Sequence, residues 1–213
     1  MYKIAALIGE AGSGKDTVMQ NILIKYPTMF NEIISCTTRP RRDNEIEGVN
    51  YFYLTPEEFS DKVLNYEMLE ATSFNGWFYG TSFDSLRSDV VNIGVFNPDG
   101  IRTIISNPEV EVQVFRIAAS DKTRMLRQLN REHSPNVDEI VRRYKTDKED
   151  FSDLDFDYTE IPNEASADLT NAVLDIVELC ALGQNWLIEK KWRSYIIYHY
   201  KKKNGGFRHD TNN

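Results

Sequence analysis

The nine residues "GEAGSGKDT", Gly9 to Thr17, stand directly behind the apolar run "IAALI". Gly9, Gly12, Gly14 and Lys15 fit a phosphate-binding loop of the form G-x-x-x-x-G-K. In such a loop glycines let backbone N–H groups converge on phosphate oxygens, and the lysine reaches toward the outer phosphates. The pattern carries weight only between a strand and a helix N-terminus. Both flanks qualify: Tyr2 to Ile8 is a short uninterrupted apolar run of the kind buried on both faces of a parallel sheet. Lys15 to Lys25 has helical period, with Val18, Ile22 and Leu23 inward and Pro27 beyond its end. One position departs from the pattern, because Lys15 is followed by Asp16 where Ser or Thr is usual. Mg²⁺ takes oxygen ligands directly or through water, so Asp16 is read as the metal residue, acting through a bridging water. The alternative is that it only complements the positive end of the helix. Thr17 points elsewhere on the helix.

Outward from this loop, strand-like and helix-like stretches alternate, which implies a parallel sheet covered on both faces. "NEIISCTTR" reads as a second strand, and "RPRRDNEIEGVN" as a functional loop, too rich in charges and turn formers for the interior of an element. A helix begins at "TPEEF", where Thr55 and Glu58 form a capping box, and "NGWFYGTS" is β-rich. "DVVNIGVFN" and "VQVFRIAA" are apolar runs of sheet type. "DKTRMLRQLNRE" and "NVDEIVRRYKTDKEDF" are arginine-bearing helices, "DFDYTEIPN" is a last strand, and "ADLTNAVLDIVELCAL" is an amphipathic closing helix.

The 213 residues, 41% hydrophobic and 27% charged, suit one α/β domain with an appendage. The net charge of -8 argues against nucleic-acid binding by the body. Cys36 and Cys180 form no metal pattern and read as reduced thiols of a cytoplasmic protein, and no apolar stretch is long enough to span a membrane. Residues 181–213 differ in composition, with seven Lys and Arg against Glu189 and Asp210. Trp186, Leu187, Trp192, Ile196, Ile197 and Tyr200 make a helical stripe there. It is read as core packing or a homodimer contact, with nucleic acid or another chain's acidic body as the lesser alternative. The chain from Asn204 on is expected to be disordered, and His133 and His199 look incidental.

"SCTTRPRR-DNEIEGVNYFYL" resembles the guanylate kinase signature S-x-T-T-R-x-x-R, an acidic glycine-containing turn, and Y-x-F. "EMLEATSFNGWFYGTS" is similar to the family's E-F-x-E…N-x-Y-G-T-S, "RQLNRE…EIVRRY" to its lid and following helix, and "DFDYTEIPN" to its late D-Y-x-I-x-N strand. The resemblance covers about residues 2 to 180. It implies a P-loop NTPase fold over 1–180, with a monophosphate-binding region near 35–85, a lid near 124–145 and a helical extension beyond. It also implies ATP with Mg²⁺ on Glu10 to Thr17 together with Arg127 and Asn163. The nucleoside monophosphate would lie on Ser35, Arg39, Arg42, Tyr51, Glu70, Tyr79, Thr81 and Asn97. Lys15, Arg42, Arg131 and Arg142 would stabilise the transferring phosphoryl group. Glu70 falls where the family reads guanine, whose N1–H and N2–H₂ are adjacent donors suited to a carboxylate.

The same comparison exposes two departures. Guanylate kinases carry D-x-D where this chain has Val95 and Asn97, with Asp99 two residues further on. The first loss removes a carboxylate near the metal, which Asp16 would restore from the opposite side; the second weakens guanine preference. The expected activity is phosphoryl transfer from ATP to GMP or dGMP. The alternatives are a broader deoxynucleoside monophosphate kinase, which the virus-like "GKDT" suggests, and a silent protein-binding domain, against which the retained Lys15, Arg39 and Arg42 argue.

Overall fold

A computed structural model describes residues 1–182 except Asn44, Asn75, Glu132 and His133. The aromatic and basic extension from residue 183 on, and His133, lie outside the described residues. Five strands form the main sheet: β1 (Tyr2–Ile8), β2 (Phe30–Glu32), β7 (Val91–Val95), β8 (Val110–Ala118) and β9 (Thr159–Pro162), all parallel in the order β2-β7-β1-β8-β9. β1 is central, so its two side-chain rows are both buried. Ala5 and Leu7 join one apolar cluster, while Ile4, Ala6 and Ile8 join the other, as the two-residue strand period requires.

Helices cover both faces. α1 (Lys15–Lys25) and α6 (Ser166–Leu182) pack on the first cluster through Val18, Met19, Ile22, Val173, Ile176 and Val177. α3 (Pro98–Ile105) closes the second with Ile101 and Ile104. The expected inward positions Val18 and Ile22 are fully buried, and Leu23 packs at the edge of the same cluster.

The stretch expected as one second strand serves two sheets. β2 pairs with β7, Ile33 N–H still donates to the Ile93 carbonyl at 2.8 Å, and the chain then leaves the main sheet to form β3 (Cys36–Thr37). β3 belongs to a four-stranded sheet with β4 (Phe52–Tyr53), β5 (Met68–Phe74) and β6 (Trp77–Ser82), in the order β4-β3-β6-β5. Local pattern carries no mark of this change of partner, because both halves are equally β-prone. α2 (Pro56–Leu64) rests on this second sheet and starts at the expected capping box. Glu58 N–H donates to Thr55 Oγ1 at 3.1 Å, and Thr55 N–H donates to Glu58 Oε2 at 2.8 Å. α4 (Asp121–Leu129) and α5 (Val137–Asp150) follow β8 as the two arginine-bearing helices. Among the described residues no helix is long and apolar enough to cross a membrane.

Candidate active site

The phosphate loop leaves β1 at Gly9 and delivers Lys15 as the first residue of α1, with Gly14 in the left-handed N-cap conformation (φ 93°). Asp16 is exposed in the first turn, and no side chain caps this N-terminus. Two glycines are required by close approach as well as by backbone angle. A Cβ on Gly12 (φ 82°) would lie 2.5 Å from the Arg124 carbonyl, and one on Gly14 would lie 2.5 Å from Asn163 Nδ2.

Loop carbonyls are held from behind. Arg127 donates to the carbonyls of Ser13 (3.1 Å), Gly12 (3.3 Å), Asn163 (2.8 Å) and Glu164 (3.1 Å), while Asn163 Nδ2 donates to Ser13 O at 2.7 Å. Arg124, 1% exposed, and Gln128 both donate to Ala11 O. Of the loop N–H groups, that of Ala11 donates to Asp147, which lines the cleft, and that of Ser13 turns back to the Glu10 carbonyl at 3.1 Å. Arg127 and Asn163, both expected at the ATP site, thus reach the loop through its carbonyls. Glu10 forms an ion pair with Arg116 at 2.9 Å.

The second sheet supplies the other wall. A register shift in β5 between Met68 and Glu70 re-aims the chain there, and Glu70 faces Thr81 across the pair. Glu70 is 7% exposed and accepts from Thr81 Oγ1 at 2.9 Å. Burial pushes its carboxyl up to about 7, against the opposing pull of the Thr81 hydroxyl. Asn97 caps α3, its Oδ1 accepting from Gly100 N–H at 2.7 Å. A Cβ on Gly100 would lie 3.1 Å from Asn97 Oδ1 and 3.6 Å from Glu70 Oε2, so both expected base-reading residues flank one small residue.

Arg39 lies over the Tyr51 and Tyr53 rings (5.5 and 5.9 Å), and Tyr51 meets Tyr79 edge-on at 6.0 Å. Glu45, which sequence reasoning missed, organises this corner. It accepts from Arg39 (2.7 Å), Tyr53 Oη (2.8 Å) and Arg42 N–H (2.9 Å), and the Arg39 guanidinium pulls it down to about 2. The Arg42 side chain is exposed. Burial raises the Tyr51 phenol first, with smaller contributions from Tyr79, Arg39, Glu45 and Asp16.

Of the arginines expected in a lid, Arg131 is exposed beyond α4, and Arg142 forms a two-pronged pair with Glu139 at 2.6 and 2.8 Å. Arg143 also donates to Glu139 (2.7 Å), and it stands four residues before Asp147, on the same helix face, which Arg142 does not share. The α5 residues that do line the cleft are Asp147 and Asp150, neither singled out by sequence. That cleft, of about 420 Å³, brings Lys15, Ser35, Glu70, Tyr79, Asn97 and Asp147 to one space. Arg42, Arg131 and Arg142 are not among its lining residues.

A parallel sheet with a glycine loop at the end of its central strand, facing a second sheet with a buried carboxylate, defines a P-loop nucleotide kinase. The guanylate kinase family model matches residues 1–178. The chain is 36% identical over 148 residues to a guanylate kinase from Synechococcus elongatus, spanning 67% of this chain and 71% of that protein. It is 29% identical over 174 residues to one from Streptococcus agalactiae, spanning 74% and 78%. The crystal structure of guanylate kinase from Anaplasma phagocytophilum superposes with a TM-score of 0.59, covering 93% of this chain and 96% of that one at 19% identity, a likeness of fold. This chain belongs to the guanylate kinase family and is a nucleoside monophosphate kinase.

Proposed function

We propose that the protein transfers the γ-phosphoryl group of ATP to GMP or dGMP. The observation that supports this most is the single cleft shared by Lys15 and the buried Glu70–Thr81 pair, one set up for phosphate and the other for a donor-bearing base edge. The acceptor phosphate is already anionic, so no strong base is needed. Catalysis rests on positioning and charge neutralisation. Lys15 and the loop N–H groups bind the donor phosphates. Arg39, stacked on Tyr51, is the cation nearest the acceptor phosphate, with Arg42, Arg131, Arg142 and Arg143 reaching the reacting oxygens as the lid closes. Ionised Glu70 accepts from guanine N1–H and N2–H₂, whereas adenine N1 would oppose it with a second acceptor. Asp16, an exposed oxygen donor beside Lys15, fits Mg²⁺, which is commonly bound by one or two carboxylates plus substrate phosphates. When bound, Mg²⁺ supplies charge neutralisation along the triphosphate.

A coupled ADP-release assay with ATP and Mg²⁺ across the eight common ribo- and deoxynucleoside monophosphates tests the reading. Turnover confined to GMP and dGMP is expected. Equal turnover with other bases would remove Glu70 as the base reader, and none with any acceptor would reject kinase action.

A further inference from the structure

Asp147 stands where the phosphate loop would bind an anion. Its Oδ2 accepts from the Ala11 N–H at 2.7 Å, and Arg124 Nη1 lies 3.6 Å from the same oxygen. Burial raises the Asp147 carboxyl, while the Ala11 amide, Lys15 and Arg124 favour its charged form and Glu10 opposes it. Apart from Glu10, this is the environment of a phosphate oxygen: a loop amide, a buried guanidinium and the loop lysine. It is a poor place for a metal ion, since the buried Arg124 guanidinium beside that oxygen would repel a second cation. Asp147 is carried by α5, whose neighbouring residue Asp150 also lines the cleft.

Resting on the kinase reading above, we propose that Asp147 is an internal competitor for the phosphate loop, and that donor phosphate must displace its carboxylate from the Ala11 amide. Three consequences follow from one contact. Donor affinity is set below what the loop alone would give, because nucleotide exchanges one anion for another. Donor binding also frees α5 from the loop, which couples arrival of the triphosphate to movement of the helix bearing Arg142 and Arg143. After transfer, the same carboxylate is available to retake the amide, which favours release of the product nucleotide.

Isothermal titration of ATP and of tripolyphosphate, both without metal, into the unaltered protein, Asp147→Asn and Asp147→Ala tests this. The expected result is binding tightened about 10-fold or more by Asp147→Ala, with a smaller gain for Asp147→Asn, whose amide oxygen can still accept from Ala11. A matching gain for tripolyphosphate places the effect on phosphate rather than base. Hydrogen exchange at the Ala11 amide supplies a second readout, and it should be faster in Asp147→Ala than in the unaltered protein. Unchanged affinity would overturn the proposal. Weaker binding of Mg²⁺·ATP by both variants, with no gain for metal-free ATP, would overturn it in favour of a metal-holding carboxylate. Absence of ATP binding by the unaltered protein would instead reject the kinase reading on which the proposal rests.

Discussion

On the proposed reading, the two walls of the cleft recognise anions and bases by different means. On the donor wall the working groups would be the lysine and backbone amides, and side chains act behind them: Arg124, Arg127, Gln128 and Asn163 hold the loop carbonyls. On the acceptor wall Tyr51, Glu70 and Tyr79 line the cleft with their own side chains, and charges there are set by burial and by neighbours, as with Glu70 against Thr81 and, behind Tyr51, Arg39 against Glu45. The donor wall should therefore fail by loosening. The acceptor wall should fail by losing selectivity while the fold persists.

Four substitutions sharpen that contrast. Arg124→Ala empties a fully buried position and removes the guanidinium that meets Asp121, Asp147 and the Ala11 carbonyl, so a stability loss of about 2–5 kcal/mol is expected in urea unfolding. A loss under 1 kcal/mol would mean that the loop does not lean on α4. Lys15→Ala should lower turnover about 10²- to 10³-fold with an unchanged melting temperature, because its ammonium serves the ligand rather than the fold. Near-parental turnover would deny the lysine its place at the phosphates.

Glu70→Gln carries the sharpest sign. The folded carboxyl is raised from 4.5 to about 7, so its contribution to stability is fully present below pH 4.5 and lost as pH rises through 7. The glutamine variant should match the parent near pH 4 and exceed it above pH 7, by on the order of 3 kcal/mol. Its preference for guanine should fall about 10- to 100-fold, since a charged acceptor is exchanged for a neutral amide. In the parent the acceptor KM should drop as pH rises through 7. A flat KM over that range would mean that Glu70 keeps one charge state throughout. Smallest is Thr55→Ala, which removes the α2 cap on the outside of the acceptor sheet; about 1 kcal/mol of stability and no change in kcat or base preference are expected. A shift in base preference would show that α2 positions Glu70.

How much of this was legible in the sequence follows the same division. The phosphate loop, α1 and the α2 cap declare themselves within a dozen residues, through glycine spacing, helical period and a Thr–Glu pair. Glu70, Thr81 and Asn97 were found through resemblance; the structure brings Glu70 and Asn97 together around Gly100 and bonds Thr81 to Glu70. What stayed hidden depends on distant partners. Arg127 meets Ser13 from 114 positions away, and Asp147 meets Ala11 from 136. On a helix as polar as α5 an aspartate that faces the loop looks like one that faces water. The switch of the chain from β2 to β3 is equally silent, because strand propensity does not name a sheet.

One contact has an evolutionary reading. Gly12 has no room for a side chain because the Arg124 carbonyl, part of the α4 backbone, lies against it. The glycine is thus demanded by a neighbouring helix and not by nucleotide alone. Across related chains, a residue larger than glycine at this position should coincide with an α4 that starts later or sits further out. Position 12 then serves as a marker of how closely α4 is seated on the loop.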